Sequence, residues 1–219
     1  SLNASFESIL GHSSPVDARI FGVTPQTDTA RLTKQVKAIG GVKDVTYVPS
    51  LDLTRTVDGQ TEETTVDVID IDAIDPIVRT TSGLEDLDDG TLIVGGIYRI
   101  PDGSKVTLTG TAGSVELTAR VREGWGAAVT PAAAQRLNGD APTDATMWVR
   151  STGSTMTPAT ERAINTAVRG QELMVSGSAS GVERMSAQIM KVTLIVCLVL
   201  GAALVIALSG LANITDVSV

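Results

Sequence analysis

Apolar and polar residues alternate over Val16–Gly22 (VDARIFG), the period-two signature of a half-buried strand. The period then lengthens. In TPQTDTARLTKQVKAIGG, Leu32, Val36 and Ile39 share one helical face, Thr27 or Asp28 is placed to cap the first turn, and Gly40-Gly41 to stop it. VKDVTYV (Val42–Val48) is strand-like again. The same order recurs late in the chain. ATMWVRS (Ala145–Ser151) alternates, TPATERAINTAVRG offers Thr157 as cap, Pro158 at the first helical position and Gly170 as stop, and QELMVSG is extended. Two β-α-β units separated by an insertion predict an α+β fold. It would hold a split ferredoxin-like lobe, with helices covering one face of an antiparallel sheet. Two unrelated strand-helix-strand stretches are the plainer alternative.

The insertion, Thr54 to Asp144, is rich in Thr, Val, Asp and Gly. Its strand candidates are Thr64–Asp72, Thr91–Gly96, Lys105–Gly110, Val115–Val121 and Gly126–Thr130. Asp58-Gly59, Asp89-Gly90, Asp102-Gly103 and Gly113-Ser114 supply turns between strands. A short helix is expected over Thr130–Leu137, capped by Thr130 with Pro131 at its first position. The insertion therefore predicts a β-rich lobe.

The flanks change character. Ser1–Leu10 places Leu2, Phe6, Ile9 and Leu10 on one helical side, Ser176–Gly181 (SGSASG) reads as a hinge, and Val182–Val192 as a helix without Pro or Gly. Val192–Leu211 (VTLIVCLVLGAALVIALSGL) then carries no charge over twenty residues. At about 1.5 Å per residue that is long enough to span a ~30 Å hydrocarbon core. Within it Ala203, Ala207 and Gly210 share a small-residue face suited to close helix packing. Asn213, at its far end, suits a contact with a neighbouring helix. The chain opens on Ser1 and stops about eight residues after the span, so it reads as the middle of a longer membrane protein.

Charge sharpens this picture by exclusion. The segment before the span carries nearly all of the net charge of −8, which argues against nucleic acid as a partner. Cys197, the single cysteine, lies in the span, and His12 is the single histidine, so neither an internal disulfide nor a zinc cluster is expected. No Walker A run, G-x-G-x-x-G or G-x-S-x-G elbow is present. No catalytic residue, cofactor or metal site is assigned. Asp67, Asp70, Asp72 and Asp75, with Glu85, Asp86, Asp88 and Asp89, lack the spacing of a calcium loop. They read as alternate carboxylates on an exposed strand, followed by an acidic turn.

The run Ala203–Val219 (ALVIALSGLANITDVSV) resembles the second transmembrane helix of FtsX-like, MacB-type ABC-transporter permeases, with Asp216 where that family more often has an apolar or small polar residue. The succession TLIVGG, Asp102-Gly103-Ser104-Lys105-Val106, VELTARV and AAVTPAAAQRL is similar to the strand, turn-strand, hairpin and short helix of the family's extracytoplasmic core domain. The resemblance implies a stalk helix (1–11) after a preceding first membrane helix. A split α/β lobe (12–53 and 145–180) would then carry the inserted β-rich lobe (54–144), and a second stalk (181–191) would lead into a transmembrane helix (192–213). It further implies a cytoplasmic ATPase subunit, a second permease copy as homo- or heterodimer, and membrane lipid as partners. Residues 1–191 would lie outside the cell membrane, and the permease itself would not be an enzyme. A single-pass surface receptor with a ligand-binding β-rich lobe is the competing reading.

Overall fold

Two strand-helix-strand units frame the structure, a computed structural model that describes residues 15–177. In the first, β1 (Ala18–Val23) leads to α1 (Thr29–Lys37) and β2 (Val42–Val57). Asp28 caps α1 by accepting a hydrogen bond from the Arg31 N–H at 2.9 Å. Leu32 and Val36 are buried, as their spacing requires. In the second unit, β8 (Asp144–Ser151) leads to α4 (Pro158–Ala167) and β9 (Met174–Gly177). Thr157 caps α4 through the Thr160 N–H, and Pro158 occupies the first turn, where its missing N–H is harmless. Ser176 and Gly177, claimed both by the extended QELMVSG and by the hinge SGSASG, pair with Arg19 and Ala18 of β1.

Between the units run β3 (Gln60–Val68), α2 (Ile71–Ile74), β4 (Thr91–Val94), a 3-10 turn (Gly96–Tyr98), β5 (Lys105–Thr109), β6 (Ser114–Val121), β7 (Ala128–Val129) and α3 (Pro131–Asn138). The described residues form an α+β fold, rich in sheet and poor in helix. The strand expected over Thr64–Asp72 ends at Val68, because Asp70 turns to cap α2 and accepts from the Asp72 N–H at 3.1 Å. Residues 51–57, which no pattern had claimed as strand, extend β2 to sixteen residues. The Asp58–Gly59 turn that follows has φ of +49° and +80°. Both central residues are thus left-handed, as a tight hairpin joining Val57 to Gln60 demands.

Strand β2 joins two parts of one nine-stranded sheet. Its first part pairs with β8, which pairs with β1, which pairs with β9, all antiparallel. Its last part pairs with β3 and β5. Further pairings of β3 with β7, β7 with β4, β4 with β6 and β6 with β5 close a ring of six strands. Closure leaves that ring without a free edge.

Alternation along β2 follows this double membership. Val45 and Tyr47 face a core with Ala18, Ile20, Met147, Val149 and the apolar faces of α1 and α4. Leu51 and Leu53, in the same parity, face the interior of the ring with Val66, Leu92, Val106, Leu108 and Leu117, closed by Ala133 and Leu137 of α3. The opposite parity puts Val48 into a third core with Trp125, Trp148, Ile74, Val78 and Ile93. That core glues the segment between α2 and β4 onto the sheet face away from the helices.

One close approach inside the ring is testable. A Cβ on Gly110 would sit 2.4 Å from the Leu137 carbonyl oxygen and 2.9 Å from Leu53 Cδ2. Gly110→Ala is expected to destabilise by about 1–3 kcal/mol, because α3 must shift to admit it. Thermal unfolding of the variant checks this.

The expectations for the Ser1–Leu10 helix, the Val182–Val192 stalk and the Val192–Leu211 span lie outside the described residues, as do Ala203, Ala207, Gly210 and Asn213. Among the described residues no helix is long and apolar enough to cross a membrane.

Candidate functional site

Where β2 passes from its β8 pairing into the ring, its register gathers polar groups. Ser50 stands opposite Asp67 of β3 on one side and Asp144 of β8 on the other, and Asp52 stands opposite Thr65. Directly opposed residues of antiparallel strands point to one face. These side chains, with Thr146, Arg19, Tyr98 and Phe21, line a cleft of about 270 Å³.

The cleft floor carries a half-buried ion pair. Arg19 Nη1 and Asp67 Oδ2 are 3.9 Å apart, with side chains 21% and 17% exposed. The guanidinium lies over the Trp148 ring at 4.8 Å, and its Nε is buried without a partner. Trp148 is fully buried and tilts against Trp125 at 6.3 Å. Burial pushes the Asp67 carboxyl above the usual carboxylate range, an effect that Arg19 opposes. Burial also lowers Arg19, opposed by Asp67. On the rim, the Thr65 hydroxyl donates to Asp52 at 2.6 Å and orients it.

The sign of the Asp67 shift gives a pH prediction. A carboxyl raised in the folded state favours folding in its protonated form; that contribution is complete at low pH and is lost as pH rises through the folded value. Arg19→Met removes the opposing cation and is expected to raise Asp67 further. The stability deficit of the variant should then narrow between about pH 7 and about pH 5. Carbon-13 titration of the Asp67 carboxyl, with unfolding at both pH values, reads this directly.

A second, wider hollow of about 870 Å³ lies at the end of the ring, beside Arg55, Glu62 and the 3-10 turn. One ion pair lies there: Arg55 pairs with Glu62 and sits 5.7 Å from the Tyr98 ring. Ile97, 87% exposed, stands at its lip.

No protein-family model matches the chain, and no curated protein matches it. Among solved structures the chain is similar to the periplasmic region of MacB from Actinobacillus actinomycetemcomitans, at 8% identity and a TM-score of 0.40, covering 80% of this chain and 95% of that one. It is similar to the extracellular domain of the noncanonic ABC-type transporter YknZ from Gram-positive bacteria, at 13% identity and a TM-score of 0.33, covering 74% and 100%. A domain assigned to a permease protein from Porphyromonas gingivalis aligns at 14% identity and a TM-score of 0.31, covering 76% and 90%.

The acidic run distributes itself among separate tasks. Asp67 faces the cleft rather than open solvent, because the ring folds over that side of the sheet. Asp70 caps α2, while Asp72 and Asp75 are exposed. Asp86 pairs with Arg122, and Asp89 accepts from the Thr130 hydroxyl at 2.6 Å. Asp88 accepts from the Thr91 hydroxyl and the Gly90 N–H, which hold its carboxyl below the usual range. Among the described residues no three His, Cys, Asp or Glu side chains gather where a metal ion could sit.

Sequence reasoning missed Arg19, Asp52, Asp144 and Tyr98 as cleft residues. It also missed the Asp17–Arg79 pair behind the cleft, whose Nε–Oδ1 and Nη2–Oδ2 distances are both 2.7 Å. Alternation in VDARIFG placed Asp17 and Arg19 on a polar face. The signal available was two opposite charges on one short strand, but nothing local says that the insertion covers them.

Proposed function

We propose that this chain is the extracytoplasmic domain, with the membrane helix that follows it, of an ABC-transporter permease subunit. It couples ATP hydrolysis by a cytoplasmic partner ATPase to transport or conformational change outside the membrane. The supporting observation is the order of elements. Strand β4, the turn at Asp102–Gly103, the β5–β6 hairpin and the short helix α3 follow one another between two β-α-β units. That is the succession the sequence resemblance implies, ahead of the apolar run Val192–Leu211.

In this reading β1-α1-β2 and β8-α4-β9 are the halves of a split ferredoxin-like lobe, an assignment supported by the strand order β2-β8-β1-β9. The six-strand ring is the inserted lobe. Residues 182–213 form one helix from stalk to membrane, and Ala203, Ala207, Gly210 and Asn213 pack it against neighbouring spans. A second permease copy and membrane lipid complete the assembly, while ATP chemistry belongs to the separate ATPase.

The test is expression of the full-length gene product together with its genomic neighbours. Co-purification with an ATP-hydrolysing subunit is expected, as is labelling of a cysteine placed at exposed Glu63 by an impermeant maleimide added outside the cell. A full-length reading frame with a single membrane span overturns the proposal in favour of a surface receptor.

A further inference from the structure

We infer that the cleft at the sheet junction binds an alkylammonium group, carried by a lysine side chain of a peptide or by a free amine. The inference stands on the cleft alone and does not require the permease reading.

Charge comes first. One guanidinium faces three carboxylates, Asp52, Asp67 and Asp144, for a formal charge of −2. Asp67 is the most buried of the three. Its one ion pair is at 3.9 Å, beyond hydrogen-bond distance, and no described residue donates a hydrogen bond to it. A carboxylate four-fifths buried and so weakly compensated gains strongly from a second donor cation.

Geometry selects the cation. Arg19 is held to the cleft wall by stacking on Trp148, and its Nε has no access to the cleft, so it neutralises the floor rather than presenting a fork to an anion. Among the described residues no three acidic side chains gather closely enough to hold a metal ion. The three carboxylates lie in a row with Ser50 between Asp67 and Asp144, and Asp52 is fixed beside Thr65. An ammonium has three donors and no acceptor, so it matches a floor carboxylate, a hydroxyl and a rim carboxylate at once. Phe21, 38% exposed at the mouth, and the Tyr98 ring provide apolar wall for a methylene stem.

The full chain in detergent is titrated with acetyl-Gly-Lys-Gly-amide, its norleucine analogue, cadaverine and calcium chloride, reading the fluorescence of Trp148 and Trp125. The lysine peptide should saturate, with the norleucine analogue weaker by about tenfold or more, and binding should weaken with added salt. Asp67→Asn should lose about tenfold in affinity, and the exposed rim pair Asp52→Asn/Asp144→Asn several-fold, about threefold or more. Saturation by cadaverine as well assigns a free-amine site; saturation by the peptide alone assigns a peptide-docking site. The inference is overturned if norleucine binds as well as lysine, if neither amine saturates, or if calcium alone produces the signal. Unchanged affinity in the rim variant, whose residues are too exposed to be needed for folding, also overturns it should Asp67→Asn fail to fold.

Discussion

Asp17→Ala is expected to destabilise the fold by about 3–5 kcal/mol, the range found when one member of a buried ion pair is removed. Asp17 is 5% exposed on its side chain and receives both Arg79 donors. It also receives the Ser151 N–H at 2.8 Å and the Ser151 hydroxyl at 2.9 Å. Its loss strands a buried backbone donor and a guanidinium together. Arg79 in turn donates to the Gly153 carbonyl at 2.8 Å, and its own N–H donates to the Pro15 carbonyl. Four chain segments therefore meet at one carboxylate: the entry to β1, the segment before β4, the end of β8 and the turn after it. Arg79→Ala should cost less than Asp17→Ala, because Asp17 keeps two Ser151 donors. Denaturant unfolding of both variants and the double variant measures the coupling. A loss below about 1 kcal/mol for Asp17→Ala would make the pair no better than a surface contact.

Trp148→Ala comes second, at about 3–5 kcal/mol, for a different reason. The side chain is fully buried between sheet and insertion, packed with Val48, Ile93 and Trp125 beneath the Arg19 guanidinium. Truncation opens a cavity there and removes the surface on which Arg19 rests. Trp148→Phe separates volume from hydrogen bonding. The indole Nε1 is buried with no partner, so Phe removes an unsatisfied donor along with some volume. The Phe variant should therefore lose no more than about 1–2 kcal/mol, a ranking that thermal unfolding followed by circular dichroism can check.

Legibility in the sequence followed the range of the interactions. Caps were read correctly at Thr130 and Thr157, and narrowed to Thr27 or Asp28 before α1, because a cap is decided within four residues. The hairpin turn at Asp58-Gly59 was equally local, while the turn expected at Gly113-Ser114 falls over residues 110–113, with Ser114 already paired to Thr109. The end of β3 was missed because VDVIDID reads as one alternating strand despite the adjacent apolar pair Val68-Ile69, and the Asp70 side chain caps the helix that follows. The continuation of β2 was missed for the opposite reason. LDLTRTV carries Leu51 and Leu53 in phase with Val45, but the polar residues after them looked like the start of a loop. The cleft was illegible because it depends on register across β8, β2 and β3, which no single stretch contains. Arg19 in particular looks like any solvent-facing strand residue until another part of the chain covers it.

The double membership of β2 bears on how this protein could be taken apart. Insertions usually enter at a loop and can be cut out there, leaving the host closed. Here the two sets of strand pairs meet inside β2: Ser50 stands opposite Asp144 of β8 and Asp67 of β3 at once, while Leu51 and Leu53 pair with β3 alone. A cut after Ser50 keeps every β8 pair but leaves a strand end where a loop would be expected. A recombination experiment that swaps the six-strand ring between related chains would thus place its first crossover inside a strand, at Ser50, and its second just before Asp144, where β8 begins.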